Sequence, residues 1–372
     1  MKVDLLITGT GMFAGRIVLD LAATARVPIN VMIAGRNQER LIWLRTAANA
    51  RAKMFGTPTT ISTHEIDLRA PQACSDLISS FQPRIVVQAA SIQTSSVISS
   101  SREGWGRLVA EGGLSATAVL QALISSRMAA AISSVSPRTH FINCCFPDVV
   151  NEMIVAMGHK VLCGTGNVAI LSNIFEGAKS RRSLGAGPLK VLAHYQSLGP
   201  WRESPDRRIG ANPPRVFVAN DEIADVFATF PDVRLTREPA IEVSGASGVT
   251  LIQALASSQA WVGHVPGPNG LPGGYPVELD ERGNLSLNLP ERLDADEAVT
   301  WNRNHELESG LTVDKSTVRF HGRLATCLRD AGFAYADGFE VSELENACQE
   351  LERVRDRLLA DGKGKEDSAS IA

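Results

Sequence analysis

Residues 7 to 15 read TGTGMFAGR, and Gly9, Gly11 and Ala14 fit the pattern G-x-G-x-x-[G/A]. In such a loop the first glycine permits a tight turn after a strand. The second lets the backbone approach a pyrophosphate, and a small third residue lets the next helix pack on the strand. The helix N-terminus then offers free N–H groups and positive potential to phosphates. Without context the pattern is a glycine turn. Here it follows an apolar strand-like run, Val3 to Thr8, and precedes a helical stretch, FAGRIVLDLAAT at residues 13 to 24, which is the context that a dinucleotide site requires. Gly9, Thr10, Gly11, Met12, Phe13 and Ala14 are the expected phosphate-binding segment.

The second strand-like run, Val31 to Ala34, ends in Gly35, Arg36 and Asn37. An acidic residue about 20 residues after the glycine loop often holds a ribose hydroxyl, and none stands here. Gly35 leaves space, Arg36 can pair bidentately with a 2′-phosphate and Asn37 can add a hydrogen bond. The charge argument therefore favours NADP over NAD, against the alternative of a solvated arginine at a turn.

Downstream, helical and strand-like segments alternate. Gln38 to Lys53 is helical, Ile61 to Asp67 and Arg84 to Ala89 are strand-like, and Leu108 to Ala131 is a long helical region interrupted by Gly112 and Gly113. His140 to Cys145 and Lys160 to Cys163 are again β-prone. The alternation predicts an α/β fold, a Rossmann-type doubly wound parallel sheet, over residues 1–185. From 186 to 335 the texture changes to more proline and glycine, with strand-like runs at Leu189 to Ala193, Arg215 to Ala219, Ile241 to Ser244 and Leu285 to Leu289. Val249 to Gln259 is helical and HVPGPNGLPGGYPV, 264 to 277, reads as a long functional loop. This half predicts a second, α+β lobe for substrate and dimerisation. A C-terminal amphipathic helix is expected within 336–360 and a disordered polar tail over 361–372.

Two resemblances sharpen these expectations. "GTGMFAG" followed by "IAGRNQERL" resembles the nucleotide-binding half of saccharopine-dehydrogenase-like reductases over about residues 3 to 90. It implies that Asp67 and Leu68 lie near the adenine, and that Ala89, Ala90 and Ser91 in VVQAAS line the path to the nicotinamide. The family's Tyr-Val-Asp run after the next helix is absent. Residues 136 to 173 run strand, Asn143, Pro147-Asp148, helix, strand, then GTGN. That order resembles the lactate and malate dehydrogenase family, with its "NPVD" and "G-x-G-T" segments. It implies that Asn143 stands at the nicotinamide–substrate junction. It also implies that His194, in LKVLAHYQS, passes the proton accompanying hydride transfer. The same residue also fits a strand-end histidine bonded to backbone. Asn167, closing GTGN, joins the substrate-side candidates. Residues 168 to 176 hold no arginine where that family keeps its substrate-binding one, so Arg202 in GPWRE is the substitute for holding a carboxylate. Tyr195 is a candidate proton donor or a half-buried aromatic. Tyr275 in LPGGYPV is a candidate lid residue, because Gly273 and Gly274 favour mobility.

The totals exclude other classes. A net charge of −3 and an aromatic share of 5% speak against nucleic acid. No stretch approaches the roughly 20 apolar residues of a bilayer span, and MKVDLLITGTG has no secretion pattern. The six cysteines form no CxxC pair and have no histidine at ligand spacing, so reduced thiols and no metal site are expected. Cys144 and Cys145 lack an identifiable base that would make either a nucleophile. The reading is a cytoplasmic NADP-dependent oxidoreductase acting on the C=O or C=N carbon of a small polar, carboxylate-bearing substrate. A homodimer follows from both resemblances. The alternative is an NADP-binding sensor without turnover.

Overall fold

The structure is a computed structural model that describes residues 3–93, 104–179, 184–208, 210–236 and 240–369, with side chains as far as 361. Its first half alternates β1 (Leu5–Thr8), α1 (Met12–Thr24), β2 (Ile29–Gly35), α2 (Gln38–Phe55), β3 (Thr59–Glu65), α3 (Ala73–Phe81) and β4 (Ile85–Gln88). There follow α4 (Gly104–Gly112), a 3₁₀ turn at Leu114–Thr117, α5 (Ala118–Val135), β5 (His140–Asn143) and α6 (Pro147–Ala156). The strands form one parallel sheet in the order β3-β2-β1-β4-β5. β1 and β4 are buried at every position, because helices cover both faces of a parallel sheet, and their sequences are correspondingly apolar. The sixth position is vestigial. Residues 160 to 163 run beside β5 with one parallel bridge, Ile142 to Cys163, and the bonds Asn143 N–H to Cys163 O (2.9 Å) and Leu162 N–H to Phe141 O (2.8 Å).

Helix limits follow local chemistry. Asn37 caps α2 by accepting from the Arg40 N–H, and Gly56 ends it in the left-handed conformation. Gly113, at φ 90°, separates α4 from the 3₁₀ turn and α5, where the sequence reads as one long helical region. Leu114–Val135 is the one span among the described residues with the length and mean hydropathy to cross a bilayer, although the sequence reading found none. It is 72% buried inside the protein and serves as a core helix.

The second half contains α7 (Val168–Lys179), β6 (Leu189–Leu192), β7 (Arg215–Val218), β8 (Asp221–Glu222), α8 (Val226–Thr229), α9 (Ile241–Ser247) and α10 (Val249–Ser257). Then come β9 (Trp261–Pro266), β10 (Gly274–Leu279), β11 (Leu285–Leu287), α11 (Ala295–Ser309), β12 (Leu311–Asp314), β13 (Thr317–Phe320), α12 (Gly322–Asp330), β14 (Phe339–Glu340) and α13 (Leu344–Ala369). Three antiparallel sheets form, β6-β7-β8, β9-β10-β11 and β12-β13-β14. They do not share one core. Residues 311 to 354 complete the core on the α3, α5 and α6 side of the parallel sheet. Residues 249 to 298 join the α1 and α2 side. Only α7, β6, β7 and the segment through Leu235 build a separate core, around Phe175, Trp201 and Phe230. Residues from 186–335 contribute to all three of these cores.

Three local expectations fail, the first two for tertiary reasons. Ile241–Ser247 is a helix rather than a strand, and Gly245 lets it lie against Arg16 of α1. Residues 264 to 277 form no open loop but most of a hairpin, with Val265 paired to Tyr275. The C-terminal helix continues to Ala369, through most of the stretch expected to be a disordered tail; residues 370–372 lie outside the described residues.

Candidate functional site

A cleft of about 700 Å³, open mouth included, runs along the C-terminal ends of β1, β2 and β4. Gly9, Thr10, Gly11, Gly35, Arg36, Asp67, Leu68, Ala89, Ala90 and Ser91 line it, together with Ile66, Arg69, Ile92 and Ile124. It sits where strand order reverses between β1 and β4, the position at which open α/β sheets take ligands. Gly9 has φ 94°, and a Cβ there would lie 2.9 Å from the Ala89 carbonyl oxygen. Gly11 is different, since a Cβ would meet no atom within 4 Å. It precedes α1 with no side-chain cap, so the N–H groups of the first turn, at Met12, Phe13 and Ala14, have no intrahelical acceptor. Met12 is exposed, Phe13 half-buried and Ala14 buried against the sheet. These residues fit the pyrophosphate of a dinucleotide.

Arg36 is exposed at the cleft edge, with no acid at the end of β2. Asn37 does not join it, because its side-chain oxygen accepts from the Arg40 N–H at 2.9 Å as the α2 cap. Asp67 Oδ1 accepts from the Arg69 N–H at 3.0 Å, and Leu68 is buried. Sequence reasoning missed two cations. Arg40 donates through Nε to the Thr10 carbonyl at 3.3 Å and holds the glycine loop. Arg69, on the cleft, donates to both Glu352 oxygens of α13 at 3.0 Å. The i, i+3 step from Asn37 to Arg40 was the readable signal for the first. The second pairing spans most of the chain and has no local signature.

The other candidates gather around a buried polar cluster between α6, α11 and the end of β6. Asp148 is fully buried; one carboxylate oxygen accepts from Asn167 and the other, Oδ1, has no partner. Burial raises its pKa to about 6, opposed by the Asn167 bond. One turn on, Glu152 faces Glu306 of α11, and Arg303 approaches Glu152 at 3.5 Å. Burial raises Glu152 to about 7 and Glu306 well above the usual carboxylate range. Glu152 Oε2 and Glu306 Oε1 lack hydrogen-bond partners. Beside Glu152, Glu306 is the carboxyl group held furthest above the usual range, because burial and then the neighbouring carboxylate disfavour its charged form.

His194 is fully buried, its ring 4.4 Å from that of Tyr195 and 5.8 Å from that of His305. Its Nδ1 accepts from the Gln196 N–H at 3.4 Å, which assigns the proton to Nε2, and Nε2 is unpartnered. Burial, then the charge of His305, lowers its pKa to about 3, so the imidazole is neutral. The Tyr195 hydroxyl lies 3.0 Å from Ser115 Oγ, which bonds Ser309 at 3.1 Å, and burial raises the phenol to about 12.

Asn143 is buried at the end of β5 with its amide engaged locally. Its Oδ1 accepts from Ser125 (2.9 Å) and the Cys145 N–H (3.0 Å), and its Nδ2 donates to Asn151 (2.8 Å). The side chain therefore organises the β5–α6 turn, and the junction role implied by the dehydrogenase resemblance does not fit its bonding. Tyr275 is likewise no lid. It is fully buried in β10, and Gly274 is tied to Ala193 by two backbone bonds of 2.8 and 3.2 Å. A Cβ on Gly273 would strike Asn302, so these glycines serve close packing rather than mobility. The Tyr275 hydroxyl has the Asn302 side chain as a neighbour, without a well-formed bond. Arg202 is half-buried in the turn Pro200–Arg202, beside the Trp201 core. Cys144 and Cys145 are free thiols that burial raises to about 12, which disfavours a thiolate nucleophile. Among the described residues no His, Cys, Asp and Glu group has metal-binding geometry.

The cluster has a consequence for stability. Its carboxyl groups keep protons in the native state that the unfolded chain releases above about pH 4, so stability falls as pH rises through 6 to 7. Melting curves are expected to peak near pH 5 and decline toward pH 8. Glu306→Gln is expected to flatten that decline. Parallel slopes for parent and variant would show that the pair titrates normally.

No family model matches the sequence, and no curated protein matches it. Solved structures do. A lactate dehydrogenase from Cryptosporidium parvum, complexed with lactic acid and nicotinamide adenine dinucleotide, is 14% identical with a TM-score of 0.52, covering 83% of this chain and 97% of that one. The malate dehydrogenase of the same organism is 15% identical with a TM-score of 0.51, over 83% and 98%. That of Archaeoglobus fulgidus, in complex with NADH, is 14% identical with a TM-score of 0.51, over 83% and 100%. The chain thus has a lactate/malate dehydrogenase-like fold, an α/β architecture with a Rossmann-type parallel sheet and added antiparallel sheets.

Proposed function

We propose that this protein is an NAD(P)-dependent oxidoreductase, with NADP preferred, that transfers hydride to or from the C=O or C=N carbon of a small polar substrate. The observation that carries the reading is the cleft over Gly9 and Gly11, with its open α1 N-terminus and Arg36 at the end of β2. A bound nicotinamide cofactor supplies or accepts the hydride. The glycine loop holds the pyrophosphate by backbone N–H groups, Asp67 and Leu68 flank the adenine, and Ala89, Ala90 and Ser91 border the way to the nicotinamide. The substrate side is built by His194, Tyr195, Asn167 and Tyr275 around Asp148, and Arg202 remains the candidate for a substrate carboxylate. The resemblance to saccharopine-type reductases supports a C=N carbon, and the dehydrogenase-like fold supports C=O. Cytoplasmic location and a homodimer belong to the same proposal.

Two measurements test it. NADPH fluorescence titration should show saturable binding, and keto acids, with or without an amine, should oxidise the bound cofactor. Binding without oxidation by any member of the panel favours the sensor alternative, which the full burial of His194 makes worth testing. For cofactor choice, Arg36→Ala should lower the ratio of NADP to NAD affinity by about tenfold or more, the worth of a charge-assisted phosphate contact. An unchanged ratio would remove Arg36 from the 2′-phosphate.

A further inference from the structure

We propose that Arg69 is a second recognition residue for the adenosine 2′-phosphate of the cofactor, sharing that group with Arg36; this rests on the oxidoreductase reading above. Strand register brings the two arginines together. Gly35 pairs with Glu65 across β2 and β3, and the Gly35 carbonyl accepts from the Ile66 N–H at 3.0 Å. The turn from Ile66 to Arg69 therefore leaves β3 beside the point where Arg36 leaves β2, and both arginines line the same cleft. That turn is fixed at two atoms of Arg69. Its backbone N–H donates to Asp67 Oδ1 at 3.0 Å, and its carbonyl accepts from Arg127 Nη1 of α5 at 2.7 Å.

The guanidinium is positioned but not used up. Only its Nη2 bonds Glu352 of α13, at 3.0 Å to each oxygen. Nε and Nη1 make no hydrogen bond among the described residues, and the side chain is 43% exposed. Glu352 also divides its charge. Arg355 Nη2 bonds the same Oε1 at 3.0 Å, while Arg355 Nη1 holds the carbonyl of Ile92, another cleft residue, at 3.0 Å. Asp356 balances Arg355 at 2.9 Å. An ion pair as open as Arg69–Glu352 contributes little to folding. Its effect is to hold a long side chain at the cleft, so that less freedom is lost when a ligand arrives.

The chemistry of the lining selects the ligand group. Its charged residues are Arg36, Arg69 and Asp67, and Asp67 Oδ1 already accepts within the turn. A ribose hydroxyl calls for an acceptor and no cation. A phosphate monoester brings close to two negative charges and three acceptor oxygens, enough for two guanidinium groups.

Two nucleotides that differ only in that phosphate test the assignment. Isothermal titration of the full chain should show adenosine 2′,5′-bisphosphate binding about 100-fold more tightly than adenosine 5′-monophosphate, about tenfold for each arginine. Arg69→Ala should cut that preference to about tenfold by weakening the bisphosphate alone. Arg69→Lys keeps the charge and loses the fork, so its preference should fall between the two. It also serves where Arg69→Ala releases α13. A purely structural Arg69 would weaken both nucleotides alike and leave their ratio where it was. An unchanged ratio in Arg69→Ala, or a parent that does not prefer the bisphosphate, overturns the proposal. Titration with NADPH and NADH separates this from the wider reading. An Arg69-dependent preference for the bisphosphate without binding of either dinucleotide would sink the oxidoreductase and leave the phosphate site standing. Binding of both dinucleotides with a ratio indifferent to Arg69 would do the reverse.

Discussion

A Gly11→Asp variant is expected to melt within about two degrees of the parent and to bind NADPH about 100-fold more weakly or worse. The two halves of that result come from one local fact. Gly11 has φ −69° and ψ 176°, which any L-residue adopts, and a Cβ there touches nothing within 4 Å. It is the N-cap of α1, where aspartate is a favoured residue, so the fold has no reason to object. The empty space in front of it is where the pyrophosphate would lie. An aspartate both fills that space and sets a negative charge against phosphates that the helix end otherwise attracts. Gly9 gives no such separation. Its positive φ and the nearby Ala89 carbonyl mean that any side chain there strains the β1–β4 junction as well. Thermal melts and fluorescence titration on Gly11→Asp check both halves. Retained tight binding would mean that the dinucleotide does not run over this loop.

The parallel sheet was legible because its signals are local. β1, β2 and β4 are short apolar runs, β1 and β2 end at or beside a glycine, and the loop from Gly9 to Ala14 carries its own geometry. Ile241–Ser247 was not legible, because a β-branched and short run takes its helical state from packing on α1. The Pro-Gly-rich stretch around Tyr275 misled for a related reason. Glycines that permit motion in isolation are, at 273 and 274, required by the closeness of Asn302 and Val168. The acid cluster was hidden most completely. Asp148 and Glu152 look like ordinary residues of a polar-faced helix, and Glu306 lies far along the chain in α11. Only tertiary structure buries the three together. The histidine that sequence order singled out, His194, does sit against that cluster, whereas Asn143, singled out by the same order, has its amide engaged in the β5–α6 turn.

The state of His194 leads to the last expectation. His194→Ala should lower turnover about 100-fold or more with NADPH affinity unchanged, and His194→Gln should recover a large part of the loss. A histidine that acts as a titrating acid needs a pKa near the working pH, and this one is driven down to about 3, first by burial and then by His305. Its Nδ1 is occupied by the Gln196 N–H, so at neutral pH it offers a fixed Nε2–H and no positive charge. A group of that kind stabilises charge developing on a substrate oxygen or nitrogen by hydrogen bonding, and the glutamine amide can imitate it. Proton exchange then falls to the carboxyl groups, whose values near 6 and 7 lie in the working range. The pH profile of turnover should accordingly follow Asp148 and the Glu152–Glu306 pair, and His194→Gln should leave its limbs in place. If His194→Gln is as inactive as His194→Ala, the imidazole itself must carry the proton and substrate binding must raise its pKa. Full turnover in His194→Ala would remove the residue from the chemistry altogether.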